Sequence, residues 1–147
     1  MGTVPLPEGY QSVNPYIVVD GAEAFMAFLA AAFSATQRER ITRPDGLIAH
    51  AEMRVGNSVI NITDPSELNP AQPCSHYLYV DDIDATYAAC LTAGATSVME
   101  PANRFYGNRE GGVMDPFGNK WWIATLFEDV HPDELQERFN ASRPSIK

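Results

Sequence analysis

Residues 15–35 read PYIVVDGAEAFMAFLAAAFSA and residues 76–96 read HYLYVDDIDATYAACLTAGAT. At a constant offset of 61 (77 − 16), Tyr16 falls on Tyr77, Val19 on Val80, Asp20 on Asp81 and Glu23 on Asp84. Further along, VGNSVINIT (residues 55–63) follows the pattern of FGNKWWIAT (residues 117–125) at an offset of 62 (117 − 55). The chain reads as one unit used twice, and such a repeat decides the fold before any single element does.

Within each unit the hydrophobic period changes from two to nearly four. Tyr16 to Val19 and Tyr77 to Val80 are short β-branched and aromatic runs that suit strands. Phe25, Phe28, Leu29, Ala32 and Phe33 then fall at i, i+3, i+4, i+7 and i+8, one apolar face of a helix. Ile83, Tyr87, Cys90 and Leu91 repeat that spacing, and Gly94 stands where a helix end calls for a left-handed residue. Strand-like pieces follow at about 37–42, 47–55 and 58–63 in the first unit, and at about 97–100, 111–114 and 119–126 in the second. Each unit is therefore βαβββ. Module one covers about 10–64 and module two about 74–127; residues 65–73, with three prolines, link them, and 132–139 read as a short capping helix opened by Pro132.

Composition narrows the partners. A chain of 147 residues matches one domain with a core of its own. Its net charge of -9 argues against nucleic acid, whose phosphates select surfaces rich in Lys and Arg. Cys74 and Cys90 show no CxxC or other metal-ligand spacing and read as reduced thiols of a cytoplasmic protein, although two cysteines also allow one disulfide. The opening MGTVPLPEGYQ carries no secretory signal pattern, and the longest apolar run, 24–33, is too short to span a bilayer.

The paired βαβββ units, the corners VVD (18–20) and YVDDID (79–84), HAEMRVGNS (50–58), AGAT (93–96) and DPFGNKWWIAT (115–125) together resemble the vicinal oxygen chelate superfamily. The resemblance is to its bacterial glyoxalase/bleomycin-resistance-like branch and spans about 10–139; it rests on the order and spacing of the motifs, none of which is specific alone. It implies an α+β fold in which paired βαβββ modules form an incomplete barrel around a cavity, usually in a homodimer. Members include glyoxalase I, extradiol dioxygenases, epimerases, fosfomycin-modifying enzymes and metal-free bleomycin-binding proteins, so the fold leaves the chemistry open.

Strand alternation selects the side chains expected to face that cavity. If Ile17 and Val19 pack on the helix, Asn14, Tyr16 and Val18 face inward, and by the same logic so do Ser75, Tyr77 and Tyr79. Ala49, Ala51, Met53 and Val55 suit the helix side, leaving His50, Glu52 and Arg54 on the other; Asn61 and Trp122 stand between apolar neighbours in the closing strands. Metal-dependent members of the superfamily place a ligand at the start of the first strand of each unit and a Glu near the end of the last. Carried over, those positions hold Asn14, Asn61, Ser75 and Trp122, which are not a divalent-metal set. No cofactor is expected there. His76 follows the ligand position by one residue, on the other face unless a bulge re-aims it.

Two further groups stand out. His50 and Glu52, at i and i+2, share one face, where a carboxylate can orient an imidazole as general base; alternatively Glu52 pairs with Arg38, Arg40 or Arg54. Arg104, Phe105, Tyr106 and Arg109 lie in NRFYGNRE (103–110), either a loop closing over an anionic ligand or a solvated hairpin whose Arg109 pairs with Glu110 or Asp115. With Trp and Tyr in place of the cage, a cavity lined by Tyr77, Tyr79, Phe105, Tyr106 and Trp122 suits a small, partly aromatic or apolar ligand, unless those rings simply fill it. Sequestration without the usual metal is the leading expectation. The alternatives are a metal-independent or non-standard-metal enzyme using His50, Glu52, Tyr77 or Arg109, and a structural dimer packed through Ala24, Ala27 and Ala31.

Overall fold

The two apolar i, i+3, i+4 faces form helices, each held against the sheet of its own module. The computed structural model describes residues 3–142. In chain order the first module is β1 (Tyr16–Val18), α1 (Ala22–Phe33), β2 (Thr36–Thr42), β3 (Ile48–Val55) and β4 (Ser58–Thr63). The second is β5 (Ser75–Tyr79), α2 (Ile83–Thr92), β6 (Thr96–Asn103), β7 (Asn108–Met114) and β8 (Lys120–Leu126), followed by α3 (Pro132–Ser142). The order βαβββ, twice, is that of the sequence repeat.

The strands make two four-stranded mixed sheets, ordered β1-β4-β3-β2 and β5-β8-β7-β6, and no closed barrel. In each sheet the first strand runs parallel to the last and the other pairs are antiparallel. Tyr16 lies beside Asn61, and Tyr77 beside Trp122. Asn61 and Trp122 are therefore equivalent at the offset of 61 (122 − 61), although the two closing hairpins align at 62. The difference is absorbed in the turns: Val55 pairs directly with Ser58 around Gly56, whereas Met114 pairs with Lys120 across the longer turn 115–119.

One continuous core joins the helix-bearing sides of both sheets. Ile17, Phe25, Leu29, Ala51, Ile62, Ile83, Cys90, Val113, Trp121 and Ile123 all belong to it. Phe25 meets Phe117 edge-on, with ring centroids 5.5 Å apart, and Phe33 lies 4.9 Å from Trp121, so α1 reaches across to the second module. Each such fully buried aliphatic or aromatic side chain contributes on the order of 1.5–3 kcal/mol. Two buried carboxylates close the corners. Asp64 accepts from the backbone N–H groups of Gly21, Ala22 and Ile48, tying β4 to the start of α1, and Asp115 accepts from Phe117 N, Asn119 N and Trp121 Nε1.

Element ends differ from the sequence expectation where side-chain patterns are weak. β6 runs on through Pro101 to Asn103, which an edge strand tolerates because its outer N–H groups need no partner. β7 begins at Asn108 rather than 111, because Arg109 and Glu110 still pair with Thr125 and Ala124. α3 extends past 139 to Ser142 and is tied down by Arg138, which donates to the Phe105 carbonyl and to Glu128.

Candidate functional site

With the helices and core on one side, each sheet has a helix-free face, and the site candidates divide between these two faces. A row of cross-strand neighbours spans the first sheet: Tyr16 beside Asn61, Asn61 beside Glu52, Glu52 beside Glu39. The equivalent row of the second sheet is Tyr77, Trp122, Gly112 and Met99. One row is polar and acidic; the other is aromatic with a gap at the glycine. Both sheets turn their other sides to the one shared core.

On the first face Tyr10 reaches in from the segment before β1. Its Oη lies 2.6 Å from Glu52 Oε2 and 2.7 Å from Asn61 Oδ1. His50 Nε2 is 3.4 Å from the same Glu52 oxygen and 4.0 Å from Glu39 Oε2, and Arg38 Nε stands 3.8 Å from Glu52 Oε1. Of the sequence alternatives for Glu52, Arg38 is the arginine within reach; Arg54 turns to Glu8 and Arg40 to Glu23. The Tyr10 hydroxyl bond, against the cost of burial, together with His50 and Arg38, holds the Glu52 carboxyl below the usual range. Burial and that same carboxylate push the Tyr10 phenol up to about 12, so the phenol keeps its proton and the carboxylate its charge.

The second face is a tyrosine network. Asn108 Nδ2 donates to Tyr77 Oη (2.7 Å) and Tyr79 Oη (3.2 Å), and Tyr77 in turn donates to Glu110. Burial and the Glu110 contact raise the Tyr77 phenol above its ordinary value and the Tyr106 phenol to about 12. Asn108 and Glu110 are buried beneath the rings, and Asn108 Oδ1 has no partner. The Tyr79 oxygen accepts from Asn108, and the residue is 60% exposed. Trp122 lies half-buried on this face, while its neighbour Trp121 is in the core.

The remaining candidates lie elsewhere. Arg109 is on the helix-bearing side, where Nε and Nη2 grip the Asp84 carboxylate at 2.8 and 3.0 Å, so it pairs with α2 and not with Glu110 or Asp115. Arg104 turns back on the hairpin, donating to the Glu100 and Glu110 carbonyls, and its Nε is buried without a partner. Phe105 packs against Tyr106 and against Phe139 of α3. The segment 103–108 is a tight hairpin turn closed by Arg104 N to Asn108 O at 2.8 Å.

The four superfamily ligand positions hold Asn14, Asn61, Ser75 and Trp122. Asn14 closes a local turn, its Oδ1 accepting from Gln11 N (2.8 Å) and its Nδ2 donating to Gln11 O. Asn61 is spent on Tyr10 and the Pro15 carbonyl, Ser75 is exposed, and Trp122 has no donor atom for a metal. His76 faces the core, stacked on Trp121 at 4.7 Å with Nε2 3.2 Å from Cys74 Sγ. That cysteine–histidine pair escaped the sequence reading. Burial raises the thiol and lowers the imidazole, so both are neutral and the pair is not an activated thiolate. Tyr10, Glu39 and Asn108 were equally unmarked, and Glu110 was considered only as a partner for Arg109; tertiary contacts reveal the first and strand register the others.

Two βαβββ modules around one core, each presenting a bare sheet face, define a class of paired-module α+β proteins. The chain belongs to the Glyoxalase/Bleomycin resistance protein/Dioxygenase superfamily, whose family model matches residues 11–123. An uncharacterised protein of Mycobacterium bovis is 32% identical over 137 residues, covering 85% of this chain and 90% of that protein. Among solved structures, TnmS3, an antibiotic binding protein from Streptomyces sp. CB03234, superposes with a TM-score of 0.61 at 17% identity over 80% of this chain and 99% of that one. TioX from Micromonospora sp. ML1 gives 0.63 at 18% identity, over 79% and 100%. At these identities the likeness is one of fold. No helix among the described residues is long and apolar enough to cross a membrane.

Proposed function

We propose that the protein binds a small, partly aromatic or apolar molecule against the helix-free face of the second sheet, with no metal at the four superfamily positions. The observation that carries this is the Tyr77–Tyr79–Trp122 surface over the buried Asn108–Glu110 pair. The exposed Tyr77 and Tyr79 rings beside the half-buried Trp122 favour a flat ligand, and the Tyr79 hydroxyl, which accepts from Asn108, keeps a proton to donate to a hydrogen-bond acceptor at the ligand's edge. An antibiotic-binding protein among the structural relatives is consistent with sequestration.

A homodimer completes the site in this reading. Tyr77, Tyr79 and Leu126 of the second sheet are exposed large apolar side chains, which favours a partner surface over them. A second copy laid over them turns an open face into a cavity. The two free cysteines support the cytoplasm as its compartment. A second reading, catalysis without the usual metal, is favoured by the 3.4 Å approach of His50 to a Glu52 carboxylate held ionised.

Titration of the purified protein with a flat anilinonaphthalene dye, followed by dye emission and by quenching of tryptophan, tests the binding reading. Saturable binding weakened at least tenfold by Tyr79→Phe and Trp122→Ala is expected. Dye binding unchanged in both variants overturns it, and light scattering at about 16 kDa over all concentrations overturns the dimer.

A further inference from the structure

Glu39 is opposite Glu52 because of an irregularity in β2. Thr36 pairs with Arg54 and Gln37 with Met53, so the next residue, Arg38, is due opposite Glu52; a register shift between Gln37 and Glu39 puts Glu39 there instead. Without it, Glu39 would lie beside Ala51, whose side chain belongs to the core. The bulge thus turns a second carboxylate onto the face that holds His50 and Glu52. Bulges re-aim side chains in this way, whereas two like charges directly opposed on neighbouring strands are otherwise unfavourable.

A second, independent feature is a surplus of acceptors. The single Tyr10 hydroxyl proton is contested by Glu52 Oε2 and Asn61 Oδ1, and both residues are only 9% exposed. Turning the Asn61 amide over does not resolve this, because its Nδ2 is committed to the Pro15 carbonyl at 3.3 Å and a flipped oxygen would face that carbonyl. His50 Nε2, 3.4 Å from Glu52 Oε2, relieves this only in the tautomer that carries its proton there; in the other tautomer its lone pair joins those of Glu52 and Glu39. Such a group of electron pairs is satisfied by a cation.

We propose that Glu39, His50 and Glu52 bind one first-row divalent cation of the Zn²⁺, Co²⁺ or Ni²⁺ type on the helix-free face of the first sheet. One ligand atom from each of Glu39, His50 and Glu52 lies within 4.8 Å of the other two, and His50 Nε2 is 3.4 Å from Glu52 Oε2 and 4.0 Å from Glu39 Oε2. A tetrahedral ion with bonds of about 2.0–2.2 Å spaces its ligand atoms roughly 3.3 Å apart, so a small swing of the exposed Glu39 side chain closes the set. One neutral imidazole and two carboxylates balance the double charge, and mixed nitrogen and oxygen donors suit borderline metals. With Glu52 Oε2 on the metal, the Tyr10 hydroxyl is free to donate to Asn61 or to steady the ligating oxygen from outside. Arg38 stays on the other oxygen, Oε1. The site shares no ligand with the aromatic face and does not rest on ligand binding there.

The experiment is titration of metal-stripped, full-length protein with ZnCl₂ by calorimetry and with CoCl₂ by visible absorption. One equivalent is expected, with d–d bands of nitrogen and oxygen ligation and no thiolate charge-transfer band. Glu39→Gln and His50→Ala, both at partly exposed side chains and checked for folding by circular dichroism, are expected to weaken binding at least tenfold, while Tyr10→Phe shifts affinity and keeps the stoichiometry. Absence of binding overturns the proposal. So does binding unaffected by both variants, or binding lost instead in Cys74→Ser. Dye affinity at the aromatic face, measured on the same Glu39→Gln protein, is expected to be unchanged.

Discussion

Gly112 stands directly opposite Trp122 across the β7–β8 pair, and a Cβ built on it would lie 2.6 Å from the indole ring. The glycine is required by the tryptophan and not by its own backbone, which is ordinary extended strand. The aromatic face owes its shape to this gap: the indole lies across β7 where any larger residue would lift it away.

Gly112→Ala is therefore expected to destabilise by about 1–3 kcal/mol, the usual cost of forcing a methyl group into packed space. The same methyl is expected to be nearly harmless when Trp122 is Ala. Thermal melts of the two single variants and the double variant check this; equal Gly112→Ala penalties in both backgrounds would show that something other than the indole opposes the methyl.

A second glycine-type position carries serine. Ser34 ends α1 with φ 57°, the only non-glycine left-handed residue among those described. Its hydroxyl makes no cap that explains the choice. Ser34→Gly is expected to stabilise by about 0.5–1 kcal/mol, because glycine meets no Cβ penalty there. A lowered melting temperature would reject that account.

The contrast between Ser34 and Gly94 marks how far the sequence could be read. Gly94, φ 109°, was legible as a helix end because glycine advertises the conformation, whereas Ser34 adopts it silently. In the same way, period and repeat were enough for the order βαβββ used twice, while family membership was legible in the order and spacing of the motifs. Glu39 was not legible, since a bulge breaks the alternation that sequence reading depends on. Tyr10 was not either, because it comes from an irregular segment with no period. Arg109 lies outside the group for a simpler reason: β7 starts earlier than its glycines suggested, and alternation from Glu110 turns Arg109 to Asp84.

Acid sensitivity is expected to centre on Asp64. Burial alone would raise its carboxyl, but the N–H groups of Ala22, Ile48 and Gly21, aided by Arg43, hold it below the ordinary value of 3.8. A carboxyl lowered on folding contributes stability that is complete above its unfolded pKa and is lost as pH falls through the folded one. The wild type is thus expected to lose stability below about pH 4. Asp64→Asn is expected to be about 1–3 kcal/mol less stable at neutral pH, since its amide cannot accept from both corners, and to show a flatter acid dependence. Denaturant melts between pH 3 and 7 check both; parallel curves for the two proteins would mean that another group controls the acid limb.

The adjacent tryptophans offer the sharpest test of the aromatic face. Trp121 is 2% exposed and donates Nε1 to Asp115 at 2.9 Å; Trp122 lies half-buried on the bare side of the same strand. Trp121→Glu is expected to abolish folding, because removing a packed Trp costs about 3 kcal/mol or more before an unpaired charge is placed in the core. Trp122→Glu puts its carboxylate at the open face, so a folded protein with a modestly lowered melting temperature is expected. It also places a Glu where metal-dependent relatives have one, yet Asn14, Asn61 and Ser75 still provide no charge or imidazole, so no new metal equivalent is expected. Dye affinity is expected to fall at least tenfold, because a flat apolar ligand would have to strip water from the new carboxylate. If Trp122→Glu unfolds as Trp121→Glu does, the indole is a structural plug and the face is not a ligand surface; if it folds and binds dye like the wild type, the ligand lies elsewhere.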